Sequence, residues 1–514
     1  MSTAVLASLL RRRTYAKGVP LTSSASARIR WFERILVALA LFIPLAFGVV
    51  TVKRSAFLDS RRTDVGVYFR AAWAIRAGID PYVVRDTNDW SYLYPPPLAI
   101  LSIPFAEAPV AGDVSIATQS GGLFQSEVPP NNNGMRYLAG VIVWYLLGVA
   151  ALFVACHWLA QAIRLSSSDP EIRSMPRFCR RWWQDRLFPA VLCCVAIGST
   201  LVRGQVNTFV LLCIAGMVLW ATKRRFFGAG MWVAAAMAIK VFPAFLLLYA
   251  IVRRDWKMIL GAAAGTALLL FVLPAAVVGP RGALELNRRF LEVMILPHSA
   301  ELAGMSPEAA KVKELRATGD NQSVRVIAES ILTAWSRRGD AGTAPEFTKI
   351  AQFAAGIHVV LAALMTSISL WTWWRVRHTG WEALFTIGML TCVSLAISPV
   401  CHMHYFVLAM PLAAALWGIW AERSPTGLAT PTMILFAAIY FAMNLVPRFN
   451  DGGSPWISDL RVFGIAQFAN IALWAAGVFT ALRCFRPPDL RPSAAAALDE
   501  PGSRLSQPSS PLGV

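Results

Sequence analysis

Ionisable side chains stand in or beside strongly apolar stretches at several widely separated places in this sequence. The clearest cases are Asp64, Arg203, Lys240 and His404. A carboxylate or an imidazole can accept the proton of a reacting hydroxyl. Two cations can hold a phosphate or pyrophosphate, arginine through paired N–H groups and lysine as a point charge. A charge enclosed by apolar sequence is costly unless it has a partner or a function, so these residues are site candidates.

Asp64 precedes a helical pattern that stops at Gly78, with an apolar stripe that includes Tyr68. Two interpretations are open for Asp64. Its side chain could simply cap the helix, or its carboxylate could act as a general base at the exit of the first apolar segment. The aromatic and proline-rich stretch that follows contains Tyr94, which is typical of an anchor at the membrane interface.

A second group, Arg203, Gln205 and Asn207, lies between two apolar segments. Lys240 is reached further along and is enclosed by apolar residues. We expect Arg203 and Lys240 to bind a donor phosphate, with snorkelling of their charged ends to the interface as the alternative.

Two further groups could contact a substrate. Asp320, Asn321 and Gln322 precede a helical pattern, whose N-terminus could bind sugar hydroxyls or be capped in the ordinary way. His402 and His404 could act as a base or bind phosphate, or they could pack at the interface. No third ligand stands at an obvious spacing, so we assign no metal and leave dependence on a divalent cation undecided.

The composition fixes the kind of protein that must position these residues. Of 514 residues 56% are hydrophobic and only 15% are charged. The apolar residues form runs of roughly 18 to 25, the length of a helix that crosses a bilayer. The sequence therefore predicts an all-α integral membrane protein, and not a transmembrane barrel of alternating strands.

The basic residues predict the topology. A basic segment over 1–34 precedes the first apolar run and should be cytoplasmic. Short basic connections later in the chain fit about twelve spans and a cytoplasmic C-terminus. The expected spans are 35–52, 137–163, 187–202, 207–222, 226–240, 241–252, 258–279, 350–374, 381–400, 405–421, 429–446 and 462–482.

We therefore expect a polytopic domain over 35–486 and a disordered cytoplasmic tail over 487–514. Two long loops, 53–136 and 280–349, should face outward and carry short amphipathic helices. Within the first loop, 112–134 is rich in Gly, Ser, Asn and Gln, which predicts a mobile segment. This topology places all the candidate residues on the outer side, whereas a transporter site would be expected near the midplane.

The ordered motifs resemble glycosyltransferase family 87, the polyprenyl-phosphate-dependent mannosyltransferases of the membrane C superfamily. They are D-x3-Y-x2-A-A at 64–72, G-x-D-P-Y at 78–82, Y-P-P at 94–96, G-Q-x-N at 204–207, K-x2-P at 240–243, N-Q-S at 321–323 and S-P with histidine at 398–404. The resemblance implies an enzyme that transfers a hexose from a polyprenyl-phosphate donor to a lipid or glycan acceptor, with mannose as the first candidate for the hexose. Transfer would occur with inversion on the outer face of the plasma membrane.

The resemblance also implies roles for single residues. Asp64 matches the usual base. Family members often show S-P-x-S-W-x-H-H, whereas this chain has Cys401, His402 and Tyr405 at three of those places, and His404 matches the first family histidine. The base is therefore Asp64 or His404. Tyr68, Tyr94, Gln205, Asn207, Asp320, Asn321, Gln322 and His402 are expected to contact substrate.

We expect membrane lipid, the sugar donor and the acceptor as partners, with no nucleic acid and no cofactor. A multi-span lipid or solute transporter has the same hydrophobic profile and is the alternative.

Overall fold

The computed structural model describes residues 42–57, 63–86, 90–106, 114–116, 134–295, 321–339, 347–423, 431–446, 460 and 463–485. The predicted segments 1–34 and 487–514 lie outside these residues. In the first half the helices are α1 (42–56), α2 (Val65–Ala77), α3 (Pro96–Leu101), α4 (Gly134–Ser166), α5 (Pro170–Arg173), α6 (Arg180–Leu192), α7 (Cys194–Val202), α8 (Asn207–Thr222) and α9 (Phe226–Ile239).

The later helices are α10 (Leu247–Arg253), α11 (Trp256–Ala267), α12 (Leu273–Phe290), α13 (Val324–Gly339), α14 (Phe347–Val376), α15 (Glu382–Ile397), α16 (Met410–Arg423), α17 (Pro431–Leu445) and α18 (Ile465–Cys484). Short 3-10 turns cover Ile103–Phe105, Phe242–Leu246 and Met403–Ala409. Wider π-turns cover Leu268–Val272 and Leu291–Ile295.

The described part of the chain is nearly all helical, as the sequence predicts, and a helix overlaps each of the expected spans. Five of the described helices are long and apolar enough to cross a membrane, or six if α6 and α7, bent by 70°, count as one broken span. The remaining apolar helices are shorter, for example α8, α9 and α15. Such short helices can lie at membrane depth where neighbouring helices enclose them.

Burial separates central helices from peripheral ones. In the segment Met403–Arg423, 83% of the most apolar window is buried inside the protein, against 17% in Lys349–Val376. The first segment is therefore surrounded by other helices, and α14 has an apolar outer face that suits lipid contact.

Helices α9 and α11 approach each other through glycines. A Cβ atom added at Gly230 would lie 2.1 Å from the carbonyl oxygen of Met258, and one added at Gly261 would lie 2.0 Å from that of Phe227. Only glycine permits this backbone contact, which resembles the small-residue packing of membrane helices. The contact fixes α9, whose last residue immediately precedes Lys240.

Helix α2 is buried in the protein, whereas the sequence predicts a helix on the outer surface. It ends as predicted at Gly78, which adopts the left-handed conformation with φ of 70°. Its residues from Val65 to Ile75 are all buried, however, including Arg70. The helix is therefore enclosed by protein, and its apolar stripe is only one part of its buried surface.

Both expected outer loops contain more regular structure than predicted. In the first, Val84–Asp86 pairs antiparallel with Val114–Ile116, so part of the segment predicted to be mobile is a strand. In the second, the helical segment continues to Phe290, but the expected end of the span at 279 coincides with a kink, since Gly279 has a non-helical φ of 77°.

Candidate active site

The beginning of α2 is joined to the turn between α7 and α8. The backbone N–H of Asp64 donates a hydrogen bond of 3.0 Å to the carbonyl oxygen of Arg203. Gly204 has φ of 64°, and a Cβ atom there would lie 2.1 Å from Cγ2 of Val65. The carbonyl oxygen of Gly204 also accepts a hydrogen bond of 3.0 Å from the Trp144 indole. Only a glycine at this turn lets the two motifs meet.

The carboxylate of Asp64 does not cap its helix. Asp64 occupies the N-cap position, but its side chain makes no capping hydrogen bond, so the capping interpretation is wrong. The carboxylate instead interacts electrostatically with Lys240 and with the hydroxyls of Tyr68, Tyr94 and Tyr405. Its charge is thus directed toward a group of polar side chains between the helices.

Lys240 stands where α9 ends and the chain becomes extended, with φ of −142° and ψ of 142°. The residue is only 5% exposed. Its Nζ lies 3.7 Å from the ring centre of Tyr405 and 5.6 Å from that of Tyr94. The same atom has no hydrogen-bond partner among the described residues. The two rings stabilise the ammonium through cation–π contact and leave its N–H groups available.

Three polar side chains form a cluster beside Lys240. The hydroxyl of Tyr68 lies 3.3 Å from that of Tyr94, and the two hydroxyls lie 3.4 and 3.3 Å from Oε1 of Gln205. Removal from water raises the pKa of both tyrosines, and the nearby Asp64 charge acts in the same direction. Both hydroxyls therefore remain protonated and can donate to a sugar oxygen.

The backbone of Tyr94 is fixed by a hydrogen bond from a second tyrosine. The hydroxyl of Tyr82 donates a hydrogen bond of 3.0 Å to the carbonyl oxygen of Tyr94. The backbone N–H of Tyr82 donates to Asp80, which forms an ion pair of 2.7 Å with Arg289 of α12. The second outer segment thereby supports the position of Tyr94.

The segment 398–405, here called the histidine turn, is held through its backbone. The carbonyl oxygen of His404 accepts hydrogen bonds from Thr200 at 3.0 Å and from Asn207 at 2.9 Å. The rings of His402 and His404 stack with centres 5.6 Å apart, and Tyr405 packs edge-on against His404. Asn207 was predicted to contact substrate; its amide N–H group is bonded to this backbone, and its buried Oδ1 has no hydrogen-bond partner among the described residues.

Asn321 fixes the other side of the histidine turn. Its Nδ2 donates to the carbonyl oxygen of Pro399 at 3.0 Å, and its Oδ1 accepts from the backbone N–H groups of Cys401 at 2.9 Å and Ser323 at 3.0 Å. Asn321 and Gln322 are both fully buried. Asn321 is therefore a positioning residue, a role that the sequence did not predict. Asp320 lies outside the described residues.

The positive charges of Arg203 and Lys240 both act on His402. Loss of hydration, followed by the charges of Arg203 and Lys240, lowers the pKa of His402 to about 3. The imidazole is therefore neutral at physiological pH and can accept one hydrogen bond and donate another. Across the described residues, no three His, Cys, Asp or Glu side chains come together as metal ligands.

The structure thus brings Asp64, Arg203, Lys240 and the histidine turn together in a single candidate site. Tyr405 was not predicted as a site residue although it provides the ring under Lys240. The signal that could have found it is an aromatic residue directly after the histidines, since such a ring commonly accompanies a buried cation.

Comparison with protein families agrees with this arrangement. A model of glycosyltransferase family 87 matches residues 92–399. The chain belongs to glycosyltransferase family 87. Membership indicates a glycosyltransferase, with a sugar donor and an acceptor, and favours an enzyme over the transporter alternative. Arg203, Lys240 and Asn321 lie within the matched region, whereas Asp64 precedes it and His404 follows it. Neither a curated protein nor a solved structure matches the chain.

Proposed function

We propose that this family 87 glycosyltransferase is a mannosyltransferase-like hexosyltransferase of glycolipid biosynthesis. The donor is a polyprenyl-phosphate hexose, mannose being the first candidate, and the acceptor is a hydroxyl of a lipid or glycan. The observation that carries this proposal is the buried ammonium of Lys240, which has no hydrogen-bond partner among the described residues and lies within electrostatic range of Asp64. An anionic ligand such as a phosphate would supply the missing acceptor.

The reaction is an inverting displacement at the anomeric carbon. The acceptor oxygen forms the new bond to that carbon while the bond to the donor phosphate oxygen breaks, and its electron pair leaves with the lipid phosphate. Lys240 and Arg203 stabilise the charge that develops on the phosphate. The acceptor proton passes to a base, for which Asp64 and His404 are the two candidates.

The remaining site residues bind and orient the sugar. Tyr68, Tyr94 and Gln205 offer hydroxyl and amide groups beside Lys240. His402 offers a neutral imidazole close to both cations. We retain Asp320 and Gln322 as candidates for hydroxyl contacts, and we assign Asn207 and Asn321 to the support of the histidine turn.

We further propose about twelve spans, both termini in the cytoplasm, and transfer on the outer face of the plasma membrane. Support comes from the positions of the short basic connections, such as Lys223–Arg225 and Arg253–Arg254. The candidate residues come from turns at the opposite ends of these helices.

The test is transfer of radiolabelled mannose from polyprenyl-phosphate mannose to endogenous lipid, in membranes containing the protein, Asp64→Asn or His404→Ala. Loss of transfer in one variant with normal expression supports the proposed site and assigns the base. If the wild-type protein transfers no mannose but transfers another hexose from its lipid-linked donor, that hexose replaces mannose as the proposed sugar. Absence of transfer from every lipid-linked sugar would overturn the proposed donor class.

A further inference from the structure

A second group of cations lies at the other end of α4. Trp144 of this helix contacts the Arg203–Gln205 turn, and Arg164 follows it by twenty positions. At a rise of about 1.5 Å per residue, the two side chains are separated by about 30 Å along the helix, the thickness of the hydrocarbon core of a bilayer. This second group is therefore at the opposite membrane interface from the candidate active site.

A histidine and an arginine form the centre of the group. Nη2 of Arg186 lies 3.0 Å from Nδ1 of His157, and the arginine carbon Cζ lies 3.4 Å from the ring centre of Trp182. Arginine can only donate, so Nδ1 of His157 is the acceptor. The ring proton is then on Nε2, which lies 2.7 Å from the side-chain amide nitrogen of Gln161. Because that nitrogen can only donate, the Gln161 amide must be turned so that its oxygen accepts from Nε2–H. This histidine is neutral and contributes no negative charge.

Two more arginines, Arg164 and Arg177, join Arg186 within electrostatic range of the same imidazole. Arg164 uses Nη2 to bind the carbonyl oxygens of Arg173 at 2.8 Å and Met175 at 3.2 Å. These bonds fold the chain before α6 back onto the end of α4, and they bring the arginines together.

The nearest acid is engaged by other donors. Asp185 precedes Arg186 in sequence, and its charge reaches that residue. Its Oδ1 accepts from Arg181 at 2.6 Å and from the Trp417 indole at 2.9 Å, whereas its buried Oδ2 has no hydrogen-bond partner among the described residues. Asp185 therefore balances Arg181 and supports the packing of α6 against α16.

Other acids nearby also bond elsewhere. Asp169 caps the short helix that follows it, and Glu422 accepts from the backbone N–H and hydroxyl of Ser168. Nε of Arg164 and Nε of Arg186 are both buried without a hydrogen-bond partner among the described residues. Arg186 as a whole is only 7% exposed. A buried N–H donor is costly when it has no acceptor, so both groups require one.

We propose that Arg164, Arg177 and Arg186, gathered around the neutral His157, form a phosphate-binding site at the membrane interface opposite the candidate active site. Phosphate oxygens would accept from the available guanidinium N–H groups, and arginine is the residue best suited to bind them in pairs. The site is separate from the proposed donor phosphate site, and its existence does not depend on sugar transfer.

The surroundings favour a lipid headgroup as the source of the phosphate. Phe178 is 62% exposed, and its ring packs against Trp182 and Trp183. Aromatic side chains of this kind concentrate at the level of the headgroups. Basic residues at the cytoplasmic interface attract anionic phospholipids. The proposed ligand chemistry is a phosphate ester, carried by an anionic phospholipid or by a soluble molecule.

The test uses the full-length protein in detergent, incubated with phosphatidylglycerol or phosphatidylcholine and examined by native mass spectrometry. Arg186→Gln and Arg164→Gln should each lower retention of phosphatidylglycerol by about fivefold or more because each removes a charge-assisted hydrogen bond. Arg177→Gln, at an exposed position, provides a variant that should fold normally. Arg180→Gln is the matched control, since it removes one exposed charge from the same surface and should retain the lipid.

A second arm separates the sources of phosphate. Inorganic phosphate and chloride are compared at the same ionic strength. Greater displacement of the lipid by phosphate would support the site and show that its ligand need not be a lipid. Selective lipid retention without such displacement would support the site and identify the headgroup. Equal losses in Arg180→Gln and the other variants would overturn the proposal in favour of a diffuse charge effect. Retention unchanged in all variants would also overturn it.

Discussion

The ammonium of Lys240 lies 3.7 Å from the centre of the Tyr405 ring. Lys240 comes from the end of α9 and Tyr405 from the histidine turn, so this contact joins two of the sequence motifs directly. The ring stabilises the positive charge without using the lysine N–H groups, which suits a residue that binds a phosphate.

Lys240→Met should reduce sugar transfer by at least about a hundredfold because the leaving phosphate loses its buried counter-charge. The melting temperature in detergent should fall only modestly, because loss of the interaction with Asp64 and of the cation–π contacts is partly offset by removal of a buried ammonium without hydrogen bonds. Lys223→Met, at an exposed position one helix away, should change neither quantity. Transfer by Lys240→Met at the wild-type rate would contradict the assigned role.

Asp64→Asn should reduce transfer by about a hundredfold or more if Asp64 is the base, with little change in stability, because the carboxylate makes no capping bond. Asp255 gives the opposite case, since its side chain caps α11 through the N–H of Met258. Asp255→Ala should cost about 1 kcal/mol of stability and leave transfer intact. Thermal unfolding and transfer assays on both variants separate the roles, and transfer by Asp64→Asn at the wild-type rate would contradict the assignment of Asp64 as the base.

Asn321→Ala should loosen the histidine turn. The substitution leaves the buried N–H groups of Cys401 and Ser323 without their acceptor, at about 1 to 3 kcal/mol for each buried group. We expect a lower melting temperature together with a reduced kcat. Ser336→Ala, at an exposed position of helix α13, which follows Asn321, should alter neither. A variant with full stability and unchanged kcat would show that the turn does not require Asn321.

Acidification should destabilise the protein partly through His402. Its pKa is lowered to about 3 in the folded protein and is about 6.5 when unfolded. The unfolded chain therefore binds a proton that the folded chain does not, so this contribution to stability is complete above about pH 6.5 and falls as the pH drops toward 3. The melting temperature of His402→Gln should depend less steeply on pH between 7 and 5. Identical slopes for wild type and variant would contradict the lowered pKa.

Much of the helical architecture follows from the sequence alone. Runs of apolar residues with basic connections predict where helices lie because a lipid-facing backbone must satisfy its hydrogen bonds within the helix. Gly78 ends α2 as expected, since glycine readily adopts the left-handed conformation found there. Lys240 was identifiable as a site candidate because a charge among apolar residues is conspicuous in any sequence.

The roles of the polar side chains were decided by the tertiary structure. Asp64 has the sequence context of a helix cap, and only the fold directs its carboxylate toward Lys240. Asn207 and Asn321 looked like substrate contacts, yet each binds the backbone of a segment far away in sequence. Helix periodicity is local and can be read from neighbouring residues. The partner of a side-chain amide depends on which distant backbone groups the packing brings within hydrogen-bonding distance, and that is decided only when the chain folds.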